Sequence, residues 1–356
     1  MVELTGKRIF PKALESFSVN ALVQAGMREK DAAVAAEVFV ATDTWGIHTH
    51  GTYNLINYVR KIRAGGIDPQ ATPEVVAKGP CWAIVDGNSA IAMVTSVKAM
   101  ELAITEAATM GIGFAGVKNS NSFGAAAYYA NMAVKHDMIG LVLTNVGLSM
   151  TAPGSRGCVI GNNTLAYAVP AGEERPIFLD IATSVVAGTK VGVAKKLGQP
   201  IPNTWMVDER GVPTSDASKY PLAASLLPMA GHKGYGLAVM LEVLAGVLTG
   251  AGVTTEVASW GVDLPARPKT GHAFVAINVD AIIPIQRFKE RMDKMIRGIK
   301  ESPKADGEKR IYLPGEMEWE KYDDALKYGI LLPPETVENL SCLAEEMGIE
   351  LTGLFQ

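Results

Sequence analysis

Apolar positions recur at helical spacing over several long stretches, and glycine or proline brackets each of them. This pattern predicts helices over Pro11–Ala25, Glu29–Trp45 and Tyr53–Ala64, closed by Gly26, Gly46 and Gly65-Gly66. The second and third are joined by a loop, Gly46-Ile47-His48-Thr49-His50-Gly51. From about Val75 the rhythm changes to short apolar runs alternating with helical stretches. Strands are expected at Trp82–Val85, Phe114–Lys118, Ile139–Thr144, Leu165–Val169, Ile177–Leu179 and Phe274–Val279. Helices are expected at Ala92–Met110, Ala125–His136 and Leu237–Leu248. Beyond Pro284 the pattern is helical and charged, over Gln286–Lys300, Glu318–Tyr328 and Glu335–Met347. The alternation predicts an α/β body over 76–284. The helical ends, 1–75 with 285–356, are expected to form one lobe built from both termini.

Composition narrows the function classes. A chain of 356 residues exceeds one small core, and its 48% hydrophobic and 20% charged residues are those of a globular protein. A net charge of −4 offers no polybasic surface, so neither nucleic acid nor an acidic membrane is the expected partner. Cys81, Cys158 and Cys342 are scattered, as expected for reduced thiols in the cytoplasm. The opening residues lack the apolar core of a signal peptide. The longest apolar run, Leu237 to Val253, carries Glu242 and several glycines, so it reads as a buried helix and not a membrane span.

The richest stretch is Leu226 to Leu237, where a glycine-rich turn with His232, Lys233 and Gly234 leads into the Leu237 helix. A helix start presents backbone N–H groups and partial positive charge, and Lys233 adds a full one, which suits a phosphate. The alternative is a surface lysine beside a helix cap. Gly111-Ile112-Gly113-Phe114-Ala115-Gly116 matches the dinucleotide fingerprint by letter. It fails by context, because a helix precedes it and a strand follows; Gly111 is expected simply to end that helix. His48 and His50 offer proton transfer near neutral pH, a metal site with His232 or His272, or a plain polar loop. Asn119–Gly124 and Asp180-Ile181-Ala182-Thr183-Ser184 each sit where a strand ends, as helix caps or as groups facing a ligand.

These segments, taken in order, resemble the type-2 malate/L-lactate dehydrogenase family over nearly the whole chain. Gly46–Gly51 is similar to Gly-Ile-x-Ser-His-Gly, Asn121–Gly124 to Asn-His-Phe-Gly, and Gly161-Asn162-Asn163 to Gly-Thr-Asn. Asp180–Ser184 resembles Asp-Met-Ala-Thr-Ser, while His232–Leu237 and Pro314-Gly315-Glu316 match closely. The resemblance implies a non-Rossmann, mixed-sheet α/β cofactor domain, hydride transfer with NAD or NADP, a homodimer and no metal. It implies cofactor contacts from Asp180, Ile181, Ala182, Thr183, Ser184, His232, Lys233, Gly234, Gly315 and Glu316. It also implies a substrate site near His50, with Thr49, Asn54 and Asn121 beside it.

The chain departs from the family pattern at the substrate end. Ser122 stands where the family has histidine, Asn54 where it has arginine, and His48 where it usually has aspartate. His50 is therefore expected to be the acid in reduction and the base in oxidation. Ser122 is expected to donate a hydrogen bond, and His48 to take part of the lost role. Arg156 and Lys61 are the available charges for a substrate carboxylate. The expected substrate is a small 2-hydroxy or 2-oxo acid. Its rivals are a cyclic imine, a cofactor-binding protein without catalysis, and a metal-dependent hydrolase built on His48 and His50.

Overall fold

The computed structural model describes residues 6–261 and 263–350. The chain opens with β1 (Lys7–Ile9), α1 (Pro11–Gln24), α2 (Glu29–Thr44) and α3 (Leu55–Arg63). The α/β body follows with β2 (Glu74–Gly79), β3 (Trp82–Asp86), α4 (Ala92–Met110), β4 (Ile112–Ser120), α5 (Ala126–Val134) and β5 (Met138–Thr144). It continues through β6 (Thr164–Val169), β7 (Ile177–Ala182), α6 (Gly188–Lys196), β8 (Met206–Asp208), β9 (Pro213–Thr214), β10 (Ala224–Leu226), α7 (His232–Glu242) and β11 (Thr270–Asn278). The last elements are α8 (Ile285–Lys300), α9 (Glu316–Tyr328), β12 (Ile330–Leu332) and α10 (Pro334–Met347).

Seven strands form one sheet in the order β2-β3-β4-β11-β5-β6-β7. Only β3 and β4 run parallel; every other pairing is antiparallel, so the sheet is mixed and not doubly wound. The strand latest in sequence, β11, lies at its centre between β4 and β5. Gly111 has φ 83 and caps α4, which is the helix-ending role expected of the false fingerprint.

Elements from the two ends of the chain meet in space. β1 pairs with β12, and α10 lies against α3 and α1. Arg60 of α3 bonds Glu346 of α10, and Asn339 Nδ2 donates to the Tyr53 carbonyl at 2.9 Å. One apolar core runs from Leu14, Phe39 and Val59 to Ala115 and Phe274 on the sheet and on to Leu340 in α10. Phe39 meets Tyr58 edge to face at 5.0 Å inside it. α8 departs from the other C-terminal helices: Asp293 accepts the backbone N–H groups of Gly172 and Glu173, and Lys289 pairs with Asp137.

Besides β1 and β12, further elements are absent from the periodicity. β2 is an exposed edge strand, α6 buries only Val191, and β8–β10 make a small sheet of two- and three-residue strands. Each is too short or too exposed to carry a clear apolar stripe. The helix expected from Leu237 begins instead at His232 and runs on as a π turn over Val243–Val247. The turn itself is Ala230-Gly231, both at positive φ (49 and 61). Lys233 is therefore inside the first helical turn.

Candidate active site

The loop after α2 carries the two histidines in a single 3-10 turn, His48–His50. His50 is exposed as a whole residue, yet the protein packed around its imidazole desolvates it and lowers its pKa below the ordinary 6.5. Thr49 Oγ1 lies 3.0 Å from His50 Nδ1, and among the described residues Nε2 has no hydrogen-bond partner. His48 is anchored differently, with Nδ1 2.9 Å from a carboxylate oxygen of the fully buried Asp43.

The Asn121–Gly124 turn forms the adjacent wall. The His50 carbonyl lies 3.5 Å from where a Cβ would stand on Gly124, and Tyr58 donates its hydroxyl to the Ser122 carbonyl at 2.8 Å. His50 and half-buried Ser122 are thus brought to neighbouring segments from distant parts of the sequence. Asn54 and Asn121 are used differently from expectation. Asn54 donates to the Thr49 carbonyl at 2.5 Å and accepts from Asn57 at 3.2 Å. Asn121 donates to the Ala90 carbonyl and accepts the Ala92 N–H at the start of α4. The Asn121 amide is buried, whereas half-buried Asn54 spends its amide on the loop backbone near the surface. Lys61 is also spent: it is buried, with Nζ donating to the carbonyls of Asp263 and Leu264 and lying 5.3 Å from the Trp260 ring. Arg156 stays exposed in the turn before Gly157.

From Gly124 the chain enters α5, whose first turn is capped by Asp180 of β7: Oδ2 accepts the Ala127 N–H at 2.8 Å. Burial raises the Asp180 pKa to about 6; the N–H groups of Ala127 and Ala126 oppose the shift, and the charge of Glu318 adds to it. Ile181 and Ala182 finish β7, half-buried. Beyond them the backbone of 183–185 joins that of 227–229, through Met229 N–H to Thr183 O at 2.9 Å and Val185 N–H to Leu227 O at 2.8 Å. These bonds carry the Asp180–Ser184 segment directly to the start of α7.

At that start His232 and Lys233 are both exposed, and among the described residues neither makes an ion pair. The amides are less bare than the sequence suggests. Gly234 N–H bonds Met229 O at 3.0 Å and Tyr235 N–H bonds Gly231 O at 3.2 Å. What remains for an anion is the outermost N–H and the lysine. Beside it opens a cavity of about 580 Å³, lined by Pro153, Val185, Leu227, Pro228, Ala230 and Gly231. The Pro314–Glu316 turn closes the other flank of β7. Gly315 has φ 88, and a Cβ there would stand 2.9 and 3.0 Å from the Phe178 O and N, so only glycine fits. Glu316 faces inward, bonded to the Leu313 N–H and to Lys300.

Among the described residues, one buried side-chain polar atom of this track has no partner. The Thr183 hydroxyl is buried without a hydrogen bond, at a cost of about 1–3 kcal/mol unless a ligand satisfies it. An orphaned hydroxyl, an exposed lysine and a largely apolar cavity fit a dinucleotide with a flat ring and a charged linker. Among the described residues no group of three or more His, Cys, Asp or Glu is placed to hold a metal, and no helix is long and apolar enough to cross a membrane.

The profile of the malate/L-lactate dehydrogenase family matches residues 9–341. The chain belongs to this family. It is 35% identical to a malate dehydrogenase of Pyrococcus abyssi, over 96% of either chain. The solved malate dehydrogenase of Pyrococcus horikoshii superposes with a TM-score of 0.89 at 32% identity, covering 98% of both. A Delta(1)-pyrroline-2-carboxylate/Delta(1)-piperideine-2-carboxylate reductase of Pseudomonas putida is 30% identical over 88% of this chain and 90% of its own. The protein is an oxidoreductase of a family whose named members are dehydrogenases and reductases.

Several residues of the site escaped sequence reasoning. Asp43 carries no motif. Glu242, the lone acid of the apolar run, accepts from Asn145 at 3.1 Å, Asn163 at 2.7 Å and the Thr254 N–H at 2.8 Å. This buried network locks the Gly161–Asn163 turn to α7. A single carboxylate in an apolar helix was the available signal, because buried charge demands partners.

Proposed function

We propose that this protein moves hydride between NAD or NADP and a small 2-hydroxy or 2-oxo acid. The observation that carries the reading is the continuous track from His50, past Ser122 and Asp180, to the orphaned Thr183 hydroxyl and Lys233. The nicotinamide ring supplies hydride transfer when bound. Lys233 and the first N–H of α7 hold the diphosphate, Thr183 and Asp180 face the same molecule, and the apolar cavity takes a flat ring. His50 gives its proton to the substrate oxygen in reduction and removes it in oxidation. Ser122 donates a hydrogen bond to that oxygen.

Two measurements test the reading. A panel of 2-hydroxy acids, 2-oxo acids and cyclic imines, followed by NAD(P)H absorbance, is expected to show turnover on a hydroxy/oxo acid pair. Turnover confined to imines selects the reductase reading, which the similarity to the pyrroline- and piperideine-carboxylate reductase favours. Binding of NADH without turnover on any of them leaves only a cofactor-binding protein. Separately, Lys233→Ala is expected to weaken NADH binding about tenfold, the scale of a lost charge-assisted contact. Unchanged affinity in a fluorescence titration removes Lys233 from the diphosphate site.

A further inference from the structure

Asp43 lies in the last turn of α2, at the carbonyl end of the helix dipole, and its side chain is fully buried. Both circumstances disfavour an anion, so its oxygens must be well satisfied. Oδ1 lies 2.9 Å from His48 Nδ1. Oδ2 accepts the Thr52 N–H at 2.9 Å and the Thr52 hydroxyl at 2.6 Å. The two gripped residues stand two places before and two places after His50. Between them the backbone passes so close that a Cβ on Gly51 would stand 2.2 Å from Asp43 Oδ1.

We propose that Asp43 is the positioning residue of the proton carrier: one buried carboxylate holds the chain on both sides of His50 and thereby sets where its imidazole sits. The inference rests on His50 being that carrier. A carboxylate only accepts hydrogen bonds, so His48 keeps its proton on Nδ1 and acts as a donor to the grip. His48 is then an anchor of the loop and does not share the proton transfer. Asp43 itself touches no substrate and acts only through the loop.

The test is a mutant cycle. Asp43→Ala releases both grips and is expected to lower kcat about a hundredfold, the cost of a displacement near one ångström at the reacting group. NADH affinity is expected to stay within about twofold, because the α7 end of the site is untouched. Asp43→Asn keeps an oxygen for Thr52 and is expected to recover most of that loss. In a His50→Asn background, Asp43→Ala is expected to add little, since both changes act on one group. A full further loss in that background, or normal kcat in Asp43→Ala, overturns the proposal. Should Asp43→Ala not fold, Thr52→Val removes one contact; a several-fold fall in kcat at unchanged NADH affinity supports the grip, and no fall overturns it. If His50→Asn alone retains turnover, it is the assignment of His50 that fails.

Discussion

Replacing His50 with Asn is expected to cut turnover by about a hundredfold or more, the usual scale for a general acid–base group. Asparagine keeps the approximate size and a hydrogen-bonding end but does not titrate. Cofactor affinity should hold, because His50 stands at the far end of the track from Lys233. The wild-type pH profile supplies an independent signature. Burial lowers the His50 pKa below 6.5, so the imidazole is mainly neutral at pH 7. Oxidation needs the neutral base, so its kcat/KM should rise with pH through that lowered pKa and then level. Reduction needs the protonated form, so its kcat/KM should fall as pH rises through the same value. Both inflections should vanish in His50→Asn. Near-normal turnover in the variant, or an unchanged inflection, removes His50 from the role.

A comparable effect on stability is expected at His272, which is buried in the sheet. Its ring is fully buried in the central strand β11, with Nδ1 2.7 Å from the Thr144 hydroxyl and Nε2 2.9 Å from that of Ser120. It stacks on Phe123 at 4.3 Å, directly behind the Asn121–Gly124 wall of the cleft. Burial pushes its pKa down to about 3, against 6.5 when the chain is unfolded. Below pH 6.5 the unfolded chain takes up a proton that the folded one refuses. Stability is therefore full above pH 6.5 and declines toward pH 3, by up to about 1.4 kcal/mol per pH unit. Between pH 7 and pH 4.5 the wild type should lose on the order of 3 kcal/mol more than His272→Asn, which does not titrate. Other acids titrate in the same window but cancel in the comparison. Denaturant unfolding of both proteins at the two pH values measures the difference, and parallel losses would falsify the burial argument. At pH 7 the variant itself should be less stable by about 1–3 kcal/mol, since one or both hydroxyls lose their partner.

The periodicity of the chain was enough to place the large elements. Helices α1, α2, α4 and α8 and strands β3 to β7 lie within a few residues of where apolar spacing and bracketing glycines put them, because those signals are local. The order of helix and strand around Gly111 disposed of a false fingerprint. What spacing along the chain does not record is which strand neighbours which. β11 enters the middle of the sheet from more than a hundred residues beyond β5, and nothing in Thr270–Asn278 announces that position.

The site divides along the same line. The sequence singles out His50 and Lys233 by their chemistry in glycine-bounded segments and Thr183 by its place just past a strand end. What links their segments in space is the bonds between 183–185 and 227–229 and the Asp180 cap on α5. Tertiary structure also gave side chains partners within the protein, burying Asn121 and Lys61, tying Asn54 to the loop backbone and setting Asp43 against the histidine loop. The physical reason is common to all of these. Whether a polar group is available to a ligand depends on which partners have already satisfied it, and those partners are set by packing across the fold and not by its neighbours in sequence.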